Sequence, residues 1–226
     1  MLRCTLLVII SFVALGTARH ATGEDVLFKE EFNDTLSPEW QVVGLTKDDY
    51  RIRDGGLEMR VQPGRLTRDT PMLMVLLPFN TSETITASVE VTPLEPFTEP
   101  DESAGLFLTD AESREFGAEK RNLNGHLVFS PGNVEFVGEA GEEGDPQQYA
   151  LKFWPANEDN GPLRIIVRGH YGHFQVGPSQ QGKYLNLFHS ALRENEPKRG
   201  FCLSASGGPS DRDHWVRFDN FRVIRN

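Results

Sequence analysis

The chain is short of cysteine, of net positive charge and of long apolar runs, and each shortage narrows what it can be. Its 226 residues include two cysteines. Cys4 lies in the N-terminal apolar run, which leaves Cys202 for the rest of the chain. A small exported domain stapled by disulfides carries an even set of cysteines, so this one is held by its core. Cys202 lies between Phe201 and Leu203 and reads as a buried, inert thiol rather than a nucleophile. Basic residues number 23 against 33 acidic ones, a formal charge of −10. That balance argues against nucleic acid or an anionic membrane as partner, because both require cationic surface.

The longest apolar run belongs to targeting. Met1-Leu2-Arg3 precedes an apolar stretch from Cys4 to Leu15, followed by small residues, which is the layout of a secretory signal. Cleavage after Ala18 or after Gly23 satisfies the small-x-small rule. A membrane anchor requires roughly 20 apolar residues, and Arg19 and His20 arrive too early for one. Residues 1–23 are therefore expected to be a signal peptide and residues 24–226 one domain, periplasmic or extracellular, with no membrane insertion after cleavage. Losing Arg3 and Arg19 leaves 21 basic against 33 acidic residues, a formal charge of −12. The sequons Asn33-Asp34-Thr35 and Asn80-Thr81-Ser82 matter only in a host that glycosylates.

Helical periodicity is scarce as well, and what replaces it is alternation. Trp215–Ile224 (WVRFDNFRVI) alternates bulky apolar and polar residues, but the phase changes midway. Val216 and Phe218 share one face, while Phe221 and Val223 fall on the other, with Asp219 and Asn220 at the switch. A one-residue slip of this kind is what a β-bulge produces. This strand closes the chain, and Val26–Phe32 is its expected partner. Asp54-Gly55-Gly56 between two alternating runs marks a hairpin. Met72–Leu77 is continuously apolar, as a strand buried on both faces would be. Thr84–Thr92, Ala104–Thr109 and Phe201–Ser206 read as further strands, and Leu163–Arg168 with His173–Val176 reads as a hairpin through Gly169–Gly172. Asp110–Asn124 is the one region whose composition allows a helix, although Gly117 interrupts it. About a dozen short strands with turns every 8–12 residues point to an all-β, two-sheet antiparallel sandwich.

Two end motifs carry a resemblance. Phe28, Glu30, Phe32, Asn33, Leu36 and Trp40, then Asp54, Gly55 and Leu57, are similar to the opening of the concanavalin A-like lectin/glucanase superfamily, with Gly56 as an extra residue. Gly200, Leu203, Ala205, Ser206 and Gly207, with Phe218–Val223, resemble its closing segment, particularly in laminin-G-like jelly-roll members. The resemblance implies adjacent N- and C-terminal strands in a convex sheet. It places ligands in lectins, and catalytic residues in glucanases, on the concave sheet. In several members a structural Ca2+ is held partly by an Asp matching Asp219, which the resemblance extends to this chain with Glu31 pointing outward beside the same edge. The alternative is that Asp219 caps the bulge through backbone amides.

Catalytic constellations are weak. Glucanases of that superfamily carry E-x-D-x-x-E on one strand, and the nearest string here, Glu143 to Gln148, lacks the last carboxylate and contains Gly144 and Pro146. His170 and His173 have no third ligand nearby in sequence, and a hairpin with exposed imidazoles explains them better than a metal. Asp211, Asp213 and His214 fit a solvated loop better than a triad. The aromatics are the best functional signal, because sugar rings stack their C–H faces on Trp and Tyr while polar neighbours read hydroxyls. Trp154, Tyr171, His173 and Trp215 are the candidate ligand-binding residues, and Trp40 is assigned to the core. The expected function is binding of a glycan or another extracellular ligand without chemistry. A sugar hydrolase with an unrecognised site and a protein-interaction module are the alternatives. If export is correct, N-terminal sequencing of the native protein will begin at Arg19 or Glu24, and an intact Met1 in a membrane fraction would overturn it.

Overall fold

A computed structural model describes residues 24–64, 70–78, 82–110, 114–132, 154–156, 161–192 and 199–226. Every regular element among them is a strand, sixteen in all. The first six are β1 (Asp25–Glu30), β2 (Gln41–Val43), β3 (Tyr50–Arg53), β4 (Gly56–Arg60), β5 (Gln62–Pro63) and β6 (Met72–Leu77). Next come β7 (Thr84–Pro93), β8 (Ser103–Asp110), β9 (Arg114–Leu123), β10 (His126–Gly132) and β11 (Trp154–Pro155). The last five are β12 (Leu163–Arg168), β13 (Tyr171–Val176), β14 (Leu185–Ala191), β15 (Arg199–Gly208) and β16 (Trp215–Arg225). They form two eight-stranded sheets, one ordered β14-β13-β12-β7-β16-β4-β3 with β1 also on β16, the other β11-β10-β9-β8-β15-β6-β2 with β5 also on β15. All pairings are antiparallel except β5 with β15. The fold is the expected β-sandwich with adjacent terminal strands.

Alternation explains how each strand serves the interior. Ile85, Ala87, Val89 and Val91 of β7 enter the main core together with Leu106 and Leu108 of β8 and Phe201 and Leu203 of β15. The opposite parity of the second sheet is apolar too. Met72, Met74, Phe107 and Cys202 form a separate buried cluster, which is why β6 reads as continuously apolar. Cys202 is fully buried and forms no disulfide among the described residues. The stretch that composition allows as a helix is instead strand β9, paired to β8 and β10. Gly117 is suited to a strand there, because the Phe107 ring occupies the space a Cβ would need. The β12–β13 turn is also tighter than the sequence suggests, with Tyr171 and Gly172 already in the strand.

The bulge in β16 is present, and its effect is the reverse of a split strand. Pairing with β7 slips between Asp219 and Arg222, and Asn220 adopts a left-handed backbone (φ 54°). The extra residue restores the phase, so that Val216, Phe218, Phe221 and Val223 are all fully buried on one face. Without it, the second pair would point to solvent. The kink also divides the strand's other edge: Trp215–Phe218 pair with β4, and Phe221–Arg225 pair with β1.

Arg217 holds the kink to the neighbouring hairpin. Its Nε donates to both oxygens of Asp219 (3.1 and 2.8 Å), and its two terminal nitrogens donate to the carbonyls of Arg53 (2.8 Å) and Asp54 (2.7 Å). The guanidinium lies where a Cβ on Gly56 would be, which accounts for the extra glycine in the hairpin motif. Asp219, through its hydrogen bond and its charge, raises the Arg217 pKa above the ordinary arginine value.

Glu30 explains the opening motif. Its buried carboxylate accepts the amides of Phe32 (3.0 Å) and Ser37 (2.9 Å) and the Trp40 indole N–H (3.1 Å). Trp40 then packs against Phe28, Phe32 and Phe221, with ring centroids 5.6, 6.4 and 4.9 Å away. The glutamate, second phenylalanine and tryptophan are therefore one carboxylate and the donors it satisfies.

Asp49 performs a similar role beside β4. Burial pushes its carboxyl up, but the Thr46 hydroxyl (2.6 Å) and amide (2.7 Å), Gln62 (3.2 Å) and Arg60 outweigh burial and hold it at about 2.

Two stability outcomes follow. Asp219→Ala removes the acceptor that orients Arg217 and is expected to cost about 1–2 kcal/mol in urea unfolding. An unchanged midpoint would show that the latch contributes nothing. For Asp49, the folded pKa lies below the unfolded value of 3.8. Its contribution, about 2 kcal/mol, is present above the unfolded value and lost as pH falls through the folded one. Asp49→Asn should therefore be less stable than the wild type at neutral pH, with the gap closing below about pH 4. A gap independent of pH would refute this account.

Candidate functional site

The outward face of β12, β13 and β14 gathers polar and aromatic side chains by register. Leu163, Ile165 and Val167 of β12 face the core, leaving Arg164, Ile166 and Arg168 outward. On β13, Phe174 and Val176 are buried while Tyr171 and His173 are exposed. On β14, Leu187 and Phe188 both turn inward at a bulge, and Asn186 and His189 are exposed. Phe174 and Phe188 stack beneath the sheet at 4.2 Å and fix this edge.

Three rows result across the face: Arg164 with Gln175 and Asn186, Ile166 with His173 and His189, and Arg168 with Tyr171 and Ala191. Gln175 Nε2 donates to Asn186 Oδ1 at 2.7 Å. The rings of His173 and His189 are 6.3 Å apart. The Arg164 guanidinium stands 5.0 Å from the centre of the Tyr184 ring, within cation–π range. Trp154, on the edge strand β11 of the other sheet, donates its indole N–H to the Asn186 carbonyl at 3.3 Å, so one exposed indole links the margins of both sheets. Burial lowers the His173 pKa below the ordinary histidine value, and His189 and Arg168 lower it further. Trp154, Tyr171 and Tyr184 are among the most exposed large apolar side chains described.

Three of the four expected ligand residues, Trp154, Tyr171 and His173, thus lie along this edge. Trp215 does not. Tyr171 is level with Thr84 of β7, whereas Val216 is level with Pro93, about 30 Å away along the strand. Trp215 is half-buried under the Arg51 guanidinium, 4.0 Å from its ring, and its amide donates to Glu95. Tyr184, Asn186 and His189 were not legible as site residues, because the bulge places Leu187 and Phe188 side by side and hides the alternation of β14.

The remaining candidates disperse. Asp219 is engaged by Arg217 at 2.8 Å, and Glu31 by Lys29 and Asn33. Lys29 holds the exposed Glu31 carboxyl below the usual range, first through its hydrogen bond. Among the described residues, no group of three or more His, Cys, Asp or Glu side chains is arranged to hold a metal ion. His214 faces away from a triad: its Nδ1 lies 2.7 Å from Glu102, and both are buried. Glu102 also accepts the amides of Thr98 (2.7 Å) and Glu99 (3.1 Å), which makes it the organiser of the loop after β7. Asp213 pairs with Arg60 at 3.4 Å. A cleft of about 470 Å³ between the Glu99–Asp101 and Gly207–Asp211 loops contains Asp101, which is committed to Arg121. The Glu143–Gln148 string lies outside the described residues.

No protein-family model and no curated protein matches the chain. Solved structures do. A GH43 protein from Bacillus licheniformis superposes with a TM-score of 0.60 at 13% identity, over 87% of this chain and 39% of that one. A xylan β-1,4-xylosidase from Bacillus halodurans gives 0.58 at 12%, over 87% and 38%. The CBM2 module of an evolved Dit protein of Lactobacillus casei phage J-1 gives 0.56 at 12%, over 89% and 95%. At these identities the likeness is one of fold. This chain spans about two-fifths of the length of the two Bacillus proteins.

Proposed function

We propose that this chain is an exported, non-catalytic glycan-binding β-sandwich, and that its ligand lies across β12–β14 with Trp154 at the margin. The observation that carries the reading is the exposure of Tyr171, Tyr184 and Trp154 beside Asn186, Gln175 and His173 along the β12–β14 edge. Aromatic faces take the C–H side of a sugar ring, and neighbouring amides and imidazoles read its hydroxyls. The carbohydrate-active names of several structural neighbours favour the same class. Hydrolysis by the usual mechanism requires two carboxyl groups flanking the bond, and the described residues of β12–β14 present no carboxylate outward. Export rests on the N-terminal signal-like segment, and no described helix is long and apolar enough to cross a membrane.

The site lies on the sheet that carries the terminal strands, so it departs from the concave-sheet location that the family resemblance implies. A glycan array on the purified protein, followed by calorimetry with the best ligand, tests the reading. Trp154→Ala and Tyr171→Ala should each weaken binding by about tenfold without moving the unfolding midpoint. Trp215→Phe, at the far end of the sheet, should leave affinity unchanged. An array with no hits would refute glycan binding, and release of reducing sugar by the purified protein would replace it with hydrolysis.

A further inference from the structure

Most described arginines near the terminal strands have an acidic partner. Arg51 pairs with Glu58, Arg60 with Asp49, Arg217 with Asp219, Arg222 with Glu24, and Arg225 with Asp25 and Glu83. Across β12–β14 the pattern stops. No described carboxylate lies within ion-pair distance of Arg164, Arg168, His173 or His189, although the chain as a whole carries ten more acidic than basic residues. Among the described residues, the groups facing His173 are His189 and Asn186 from β14, Ile166, Arg164 and Arg168 from β12, and Tyr171 and Gln175 on its own strand. None is an acid. Burial lowers the His173 pKa first, and the neighbouring His189 and Arg168 act in the same direction.

We infer that this edge takes a negatively charged sugar residue, with the anionic group seated among His173, His189 and Arg168 and the ring carried by Tyr171. The inference rests on the glycan-binding reading above and names the ligand's charge. An anion at this place supplies a counter-charge that no described carboxylate supplies, in a chain that otherwise repels anions at long range, so recognition would depend on local contacts rather than steering. The shared chemistry is a carboxylate or sulfate on a sugar, and both have the acceptor oxygens that guanidinium and imidazolium N–H groups require.

The sign of the pH dependence follows from linkage. A bound anion favours the protonated imidazole of His173, so its pKa is higher in the complex than in the free protein. Affinity is then greatest below the free value and is lost as pH rises through the bound one.

Calorimetry on the full chain tests this with oligogalacturonides (carboxylated), heparin oligosaccharides (sulfated) and neutral xylo-oligosaccharides. At least one acidic set should bind about fivefold more tightly near pH 5.5 than near pH 7.5, and binding should weaken with added salt. The double variant H173Q/H189Q should lose the pH dependence, and Arg168→Gln should weaken acidic ligands at both pH values. These side chains are exposed, and circular dichroism confirms that each variant is folded. Carboxylated against sulfated ligands identifies which anion is read. Equal, pH-independent binding of neutral and acidic sugars would overturn the charge assignment and leave glycan binding standing. Acidic binding that survives both variants would overturn the placement. No binding to any sugar would overturn both readings.

Discussion

The bulge at Asp219 and Asn220 is the constraint on which the rest of this sandwich depends. A regular strand of the length of β16 would bury either Val216 and Phe218 or Phe221 and Val223, since alternate residues face opposite sides. Inserting one residue lets both pairs enter the core. The same kink frees one edge of the strand to serve β4 with its first half and β1 with its second. Two segments distant in sequence are thereby brought to the middle of one sheet. The aromatic group of Phe28, Phe32, Trp40 and Phe221 forms where they meet.

Polar groups stabilise this arrangement at its two irregular points. Glu30 satisfies three N–H donors where the chain leaves β1 through the left-handed Phe32, a group of orphans that would otherwise be costly to bury. Arg217 bridges the bulge to the β3–β4 hairpin and requires Gly56 beneath it. Such carboxylates and guanidiniums serve the fold, and they account for motif residues that would otherwise invite a catalytic interpretation. Charge at the β12–β14 edge differs, because there the cations lack acidic partners among the described residues and the aromatics are exposed.

Local pattern was sufficient for much of the architecture. Alternation, the Asp-Gly-Gly hairpin and the phase slip are short-range signals, and they determined the strands, the bulge and the pairing of the chain ends. Burial of Cys202 followed from its apolar neighbours Phe201 and Leu203, and Trp40 is buried as its assignment to the core expected. Local pattern failed at Arg114–Leu123, where composition tolerates a helix but pairing on both sides makes a strand. It failed again at β14, whose bulge breaks the alternation that would have marked it.

Which side chains share a surface was decided by tertiary structure. Trp154, Tyr171, His173 and Trp215 look equivalent in sequence, each an aromatic or imidazole with polar neighbours. Strand order and register place the first three at one edge, with Tyr184 and His189, and send Trp215 to the far end of the sheet under Arg51. His214 likewise met Glu102, 112 positions earlier in the chain, rather than the aspartates beside it. Sequence determines which face of a strand a residue occupies, because that depends on a two-residue period. It does not determine which strands lie side by side, because that depends on how every other strand buries its own apolar face.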